Sequence, residues 1–142
     1  MTQNDALTTA VDAEFAAIFT YGVTTAFVGS DQRDAVGEFN AAHRVRRDAV
    51  NAALVSAGGA EQVPAAGYTI PFEVTDDKTA AKALLQAETT CASAYRALVE
   101  QADGPDVRRL GVDGLTECAT RIAFWRGVSG LSPATVAFPG DK

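Results

Sequence analysis

The sequence predicts an all-α protein, a four-helix bundle in which two antiparallel helical hairpins are joined by a long crossover. Apolar residues recur in alternating steps of three and four along four segments, which is the spacing of a bundle seam. Glycine and proline separate these segments. Between the second and third lies a stretch without helical period, and at about 3.3 Å per residue its roughly 20 residues could run the length of a helix. The 142 residues suit a single domain with one core.

Breakers and caps set the predicted boundaries. Gly58-Gly59 ends the second segment, and Gly104-Pro105 separates the third from the fourth, with proline suited to the first turn of a helix. Ser30 or Asp31 is the expected N-cap of the second helix. The resulting division of the single domain 1–142 is helices over about residues 5–28, 31–57, 76–103 and 105–128, a crossover over 58–75 and a C-terminal tail over 129–142.

The crossover is predicted to be extended coil. Residues 68–74 have the alternation of a short strand, but the sequence offers no second strand to pair with them. We therefore expect the segment to pack on the bundle through Tyr68, Ile70 and Phe72.

Polar side chains occupy seam positions where apolar residues are expected. Each of the first, third and fourth helices carries a glutamate there, and the second carries the only histidine of the chain. The fourth seam is read as Leu110, Gly114, Glu117, Arg121, Phe124 and Val128, with Trp125 packing at the end of the bundle. The predicted polar layer contains Glu14, His43, Glu88 and Glu117, with Arg47 and Arg121 each one turn from a member of this set on its own helix.

An internal repeat relates the two hairpins. Glu14 and Tyr21 recur 74 residues later as Glu88 and Tyr95, and Arg47 falls on Arg121 at the same offset. The repeat predicts that equivalent residues lie at equivalent depths. Tyr21 and Tyr95 are interpreted as packing residues with satisfied hydroxyls; redox activity, or donation to the glutamates seven residues away, is the alternative.

Five stretches of sequence carry a family resemblance: "AEFAAIFTYGV", "HRVRRDA", "YTIPFEVTD", "AYRALV" and "AFPG". Together with the two hairpins, they are similar to an uncharacterised family of ferritin-like proteins from actinobacteria. The resemblance covers almost the whole chain and implies the ferritin-like fold. It implies no particular activity, because a fold does not determine a function.

The resemblance also implies a metal-ligand set with two losses. Metal-binding ferritin-like proteins hold two ions with two single glutamates and two Glu-x-x-His motifs. The matching positions here are Glu14, His43, Glu88 and Glu117, whereas Asn40 and Thr120 stand where a glutamate and a histidine are expected. The set that remains is poorer for two bridged ions.

The arginines offer the carboxylates another partner. With three carboxylates and two guanidiniums, the predicted layer is nearly neutral without a metal. If Arg47 and Arg121 point inward, they replace the ions as partners; if they bend outward, a metal site is favoured. The sequence favours a salt-bridged polar core that also includes Tyr21 and Tyr95, over a single weakly held metal or a working dinuclear site.

Charge and composition exclude several classes of function. A net charge of −6 and a pI near 4.6 argue against a nucleic-acid partner. The chain shows no signal-peptide pattern and no apolar run of about 18 residues, so we expect a cytoplasmic protein with no membrane partner. Cys91 and Cys118 are too few for a disulfide framework, and we expect reduced, buried thiols.

Two functions stay open at this point. The favoured one is a binding or interaction module on a ferritin-like bundle, with no cofactor and no working dinuclear site. The alternative is a metal-dependent, di-iron-like oxidase or iron-handling protein with a reduced ligand set, using iron or another divalent metal. A homodimer through an outer helix face is compatible with the sequence, which gives no interface.

Overall fold

The computed structural model describes residues 1–141, which form four α-helices and, within that range, no β-strand. Successive helices run antiparallel within two hairpins, as predicted, and the segment between the hairpins returns along the bundle. None of the helices in the described range carries an apolar run long enough to cross a membrane. The helices are α1 Gln3–Thr24, α2 Arg33–Ser56, α3 Asp77–Gln101 and α4 Pro105–Val128, with a short 3-10 turn, Ser30–Gln32, before α2.

Two of the helices begin with reciprocal caps. The Thr2 side chain accepts from the Asp5 amide, and the Asp5 carboxylate accepts from the Thr2 amide. Asp76 and Thr79 form the same arrangement at the start of α3. Each pair satisfies amides that the first turn of a helix leaves without a backbone partner.

The junction between α1 and α2 differs from the prediction. Helix α1 ends at Thr24, not near residue 28, and the hydroxyls of Thr24 and Thr25 donate to carbonyl oxygens of the preceding turn at 2.8 and 2.7 Å. Such side-chain bonds compete with continuation of the helix. The predicted N-cap at Ser30 or Asp31 is wrong, because both residues lie in the 3-10 turn and α2 has no side-chain cap.

Helices α3 and α4 approach closely because α4 presents glycine to α3. A Cβ atom at Gly114 would lie 2.5 Å from the ring of Tyr95, and one at Gly111 would lie 2.9 Å from a methyl group of Val99. Helix α3 also packs on α1, and α1 on α2, whereas α2 and α4 touch little. The central contacts of the bundle are therefore α2–α1–α3–α4.

Gly114→Ala should destabilise the protein by roughly 1–3 kcal/mol, because the added methyl group overpacks the fully buried Tyr95 ring. Gly37→Ala is the matched control on an exposed face of α2, where an added Cβ meets nothing within 4 Å. It should stabilise by about 0.5–1 kcal/mol through helix propensity. Urea unfolding of both variants measures the difference, and equal midpoints would contradict close packing at Gly114.

Two apolar clusters fill the bundle. The larger one lies toward the start of α1 and includes Leu7, Val11, Leu54 and Leu98. The smaller one lies toward the α1–α2 junction and contains Tyr21, Val28, Val36, Ala80, Ala81, Leu84 and Trp125. Buried polar side chains lie between them.

The crossover and the tail both cover α3 or its neighbours. Asn51 on α2 exchanges two hydrogen bonds of 2.9 Å with the backbone of Gln62, which fixes the start of the crossover. Tyr68 packs against Phe19 with 5.6 Å between ring centroids. In the tail, Gly140 adopts a φ of 81° and approaches the α3 backbone so closely that a Cβ there would lie 2.6 Å from a carbonyl oxygen.

Candidate functional site

A buried layer of charged residues crosses the middle of the bundle. Glu14 from α1, His43 from α2 and Glu88 from α3 have no solvent exposure, and Arg121 from α4 is 5% exposed. Each helix therefore contributes one charged group. Because buried charges must be paired, the bonds among these four side chains decide the character of the layer.

His43 bridges the two glutamates. Its Nδ1 lies 2.5 Å from Oε2 of Glu14, and its Nε2 lies 2.6 Å from Oε1 of Glu88. A carboxylate oxygen only accepts, so both ring nitrogens donate and the ring is an imidazolium. Burial opposes this charge, but the hydrogen bonds and charges of the two glutamates outweigh burial and raise the pKa of His43 from 6.5 to about 10.

Glu88 gathers three donors on one oxygen. Its Oε1 accepts from His43, from Nε of Arg121 at 2.9 Å and from the hydroxyl of Tyr21 at 2.7 Å. Burial opposes ionisation, but His43 and then Arg121 and Tyr21 lower the pKa of Glu88. Arg121 stays charged, since the attraction of Glu88 raises its pKa against the effect of burial. The layer thus holds two negative and two positive charges.

The two tyrosines exchange partners between the hairpins. Tyr21 on α1 donates to Glu88 on α3, and Tyr95 on α3 donates to Glu14 on α1. The alternative in which each tyrosine donates to the glutamate seven residues away on its own helix is therefore wrong. Seven residues span about 10 Å along a helix axis, which is too far for a hydrogen bond. Burial, followed by the facing carboxylate, raises the pKa of both phenols, which stay protonated donors.

Trp125 joins the layer in a way that the sequence did not indicate, whereas the two cysteines are buried free thiols, as expected. Trp125 is fully buried, and its Nε1 donates to the Tyr21 hydroxyl at 2.9 Å. Its position one turn after Arg121 is the signal that could have placed it there. Cys91 and Cys118 are buried free thiols, and their mutual contact, together with burial, raises the pKa of Cys91.

Arg47 lies outside the polar core, contrary to the prediction. Its Nε pairs with Asp48 at 2.9 Å, its side chain is 27% exposed, and its guanidinium lies over the ring of Phe15 at 5.7 Å. In the internal repeat, Glu14 corresponds to Glu88, the partner of Arg121. Both oxygens of Glu14 already accept hydrogen bonds. Arg47 therefore does not reach Glu14, whereas Arg121, its equivalent in the repeat, bonds to Glu88.

Glu117 also lies outside the layer. Its side chain is 38% exposed at the rim, where it forms a salt bridge with Arg46 and a longer one, of 3.9 Å, with Arg121 of the layer. The inner face of α4 keeps two predicted seam residues, Gly114 and Arg121. At the other positions Gly111, Cys118 and Trp125 are buried where residues 110, 117 and 124 were expected. Small side chains at the inner positions let α4 approach α3, and the longer glutamate turns to the rim.

The two positions that depart from the ligand pattern behave differently. Thr120 is exposed, and its hydroxyl donates to the carbonyl oxygen of Thr116. Asn40 is half-buried, and its Oδ1 is a buried acceptor without a donor, as is Oε2 of Glu88. These are the unsatisfied buried side-chain atoms among residues 1–141.

A group of three potential metal-donor atoms does occur in the layer. One atom each from Glu14, His43 and Cys91 lies within 4.8 Å of the other two. Among the described residues 1–141, it is the one group of three His, Cys, Asp or Glu side chains whose donor atoms lie this close together. Cys91 was not among the predicted ligands, and Glu117 is not part of this group.

Comparison with known proteins gives a family and a fold. Residues 6–142 match a family described as a domain of unknown function, DUF4439. The crystal structure of a conserved hypothetical protein, rv2844, from Mycobacterium tuberculosis is similar, with a TM-score of 0.87, 36% identity and 96% of each chain covered. No curated protein matches the chain.

A more distant structural match identifies the fold. The X-ray structure of a histidine-to-glycine mutant of Dps from Listeria innocua has a TM-score of 0.80 at 11% identity, and the match covers 94% of this chain and 99% of that one. At that identity the likeness concerns the fold alone. The protein is a ferritin-like, all-α four-helix bundle, as predicted.

Proposed function

Because the chain belongs to the DUF4439 family of domains of unknown function, we propose its function from the chemistry of its core: a ferritin-like bundle that acts as a binding module. In this proposal the central layer is closed by internal salt bridges and has no working dinuclear metal site. The 36% identity to the Mycobacterium tuberculosis protein supports the predicted actinobacterial origin. The predicted cytoplasmic location stays a prediction.

The observation that carries the proposal is the double hydrogen bond of His43. Both ring nitrogens donate to carboxylates, whereas a metal binds only an unprotonated ring nitrogen. The ring therefore occupies, with its own charge, the position between Glu14 and Glu88 where an ion would have to sit. Arg121 adds the second positive charge and completes the neutralisation.

The ligand set does not fit two metal ions. Two bridged divalent ions need four carboxylates and two imidazoles in the pattern of this superfamily. Here Glu117 is engaged by Arg46 at the rim, Thr120 faces solvent, and Arg121 brings a positive charge into the layer. Two divalent ions would add four positive charges to a layer that is already neutral, which supports a metal-free core.

Elemental mass spectrometry tests this proposal. Protein purified without a histidine tag and incubated anaerobically with ferrous iron should retain far less than one metal ion per chain after gel filtration. Glu117→Gln is the control, since it removes a candidate ligand at the partly exposed rim of the layer. About two iron ions per chain, lost in the Glu14→Ala, Glu88→Ala variant, would overturn the proposal and support the di-iron oxidase.

A second candidate function, an iron-handling or metal-dependent protein with one ion, has its own support. Glu14, His43 and Cys91 bring three donor atoms together, and the unpartnered oxygens of Glu88 and Asn40 are further acceptors. Such a site requires His43 to release its proton. In the same experiment, about one ion per chain that is lost in Cys91→Ser would favour this candidate.

A further inference from the structure

A cavity opens at the end of the bundle where α1 ends, α3 begins and α4 ends. Its volume is about 630 Å³, within the range of about 300–1,000 Å³ that is common for small-molecule sites. It lies outside the polar layer. The 3-10 turn before α2 and the first residues of the tail complete its wall.

The cavity is apolar inside. Val28, Ala81 and Trp125 form a buried floor, and Val128 and Leu131 lie at the edge with 39% and 45% of their surface exposed. Exposed apolar side chains beside a concave apolar surface favour an apolar ligand, because its burial removes both surfaces from water.

Two lysines stand at the mouth. Lys78 and Lys82 line the cavity and lie one helical turn apart on α3. The chain has a single further lysine, Lys142, so this placement concentrates the ammonium groups of the protein. Like charges four residues apart disfavour a helix, so the pair is not explained by helix stability.

The lysines are available to a ligand. Within residues 1–141 neither ammonium group forms a salt bridge, and Lys82 lies 4.5 Å from the centroid of the Phe72 ring. Asp77 is the one carboxylate among the lining residues, so the lining carries a net charge of +1 on a chain whose net charge is −6. The two ammonium groups thus outnumber the carboxylate of the lining, and Asp76 lies next to the lining as the N-cap of α3.

We propose that this cavity binds a small amphiphile with an apolar body and a single carboxylate. The apolar part lies between Val28 and Leu131, above the buried Trp125, and the carboxylate meets Lys78 and Lys82. The inference rests on the proposed binding function and names its ligand class. A chain of hydrogen bonds joins the cavity floor to the polar layer, because Trp125 donates to Tyr21, which donates to Glu88.

The single tryptophan of the chain makes the test direct. Trp125 lies on the cavity floor, so a ligand bearing a heavy atom quenches its fluorescence on binding. The probe is bromododecanoate below its micelle concentration, competed with dodecanoate, dodecanol and dodecyltrimethylammonium. We expect saturable quenching that dodecanoate reverses by displacing the probe. The alcohol and the cation should compete at least about tenfold more weakly than dodecanoate.

Three variants locate the binding. The double variant Lys78→Gln, Lys82→Gln should bind bromododecanoate about tenfold more weakly, because each lysine supplies a partly exposed ion pair. Arg44→Gln, Arg109→Gln removes the same charge from exposed positions outside the cavity lining and should leave binding unchanged. Leu131→Glu places a carboxylate at the exposed edge of the cavity. It should weaken binding of the carboxylate ligand more than binding of the alcohol.

Several results would overturn the inference. These are the absence of saturable quenching in the parent, equal competition by alcohol and carboxylate, or equal losses in the lysine and arginine variants. Co-sedimentation with vesicles of anionic phospholipid, in place of monomer binding, would also reject it. Metal content measured on the same preparation separates the two proposals: bound iron counts against the metal-free core, whereas a metal-free protein without quenching rejects the ligand class alone.

Discussion

Glu88→Gln should lower the free energy of unfolding by roughly 3–5 kcal/mol, the cost of removing one partner from a buried charge network. The substitution keeps the size of the side chain but leaves His43 with the carboxylate of Glu14 alone and Arg121 with the partly exposed carboxylate of Glu117 at 3.9 Å. Part of the cost is relieved if His43 releases its proton. Urea unfolding at neutral pH measures the change.

Glu117→Gln is the matched control for this prediction. Glu117 also forms a salt bridge with an arginine, but its side chain is 38% exposed, and exposed pairs contribute at most about 1 kcal/mol. Both variants remove one carboxylate that pairs with Arg121, but the Glu88 carboxylate is fully buried and the Glu117 carboxylate is partly exposed, so the contrast reports the effect of burial. If the two variants unfold at similar urea concentrations, the layer is not the buried charge network described above.

Stability should fall as pH rises from about 6.5 to 10, through the loss of the His43 proton. The pKa of His43 is about 10 in the folded protein and near 6.5 in the unfolded chain, so its contribution is complete below pH 6.5 and disappears as pH approaches 10. Each pKa unit is worth about 1.4 kcal/mol, so the total loss is several kcal/mol. Urea unfolding from about pH 6 to pH 9 follows the decline.

The other groups that face His43 do not mask this dependence. The pKa of Glu88 is lowered from 4.5, so its contribution is lost only as pH falls below that value. Burial raises the pKa values of Tyr21, Tyr95 and Cys91, so these groups add to the decline only as pH approaches their ordinary values of 10.0 and 9.0, where the unfolded chain releases these protons. A His43→Gln variant should show a much flatter profile between pH 7 and pH 9, and an unchanged slope would show that another group causes the decline.

The hairpins and the crossover could be read from sequence because their signals are local. Seam periodicity, the Gly58-Gly59 stop and the Gly104-Pro105 junction each act within a few residues, and the structure shows helices in all four segments. The end of α1 was missed, because the threonine hydroxyl bonds that oppose its continuation are not part of an apolar pattern.

The internal repeat indicated the depth of the glutamates and tyrosines but not their bonds. Glu14, Glu88, Tyr21 and Tyr95 all lie in or beside the buried layer, at the depths that the 74-residue offset suggests. Their exchange between α1 and α3 follows from how closely these helices pack. No spacing within one helix carries that information.

Which charges are buried was decided by the tertiary structure alone. By itself the sequence determined a four-helix bundle and placed ionisable side chains near its seam, since these depend on helical period and breakers. Arg121 enters the core because Gly111 and Gly114 bring α4 against α3, beside Glu88. Arg47 and Glu117 stay at the rim, because a buried charge needs a partner within bonding distance and only the packing of helices sets that distance.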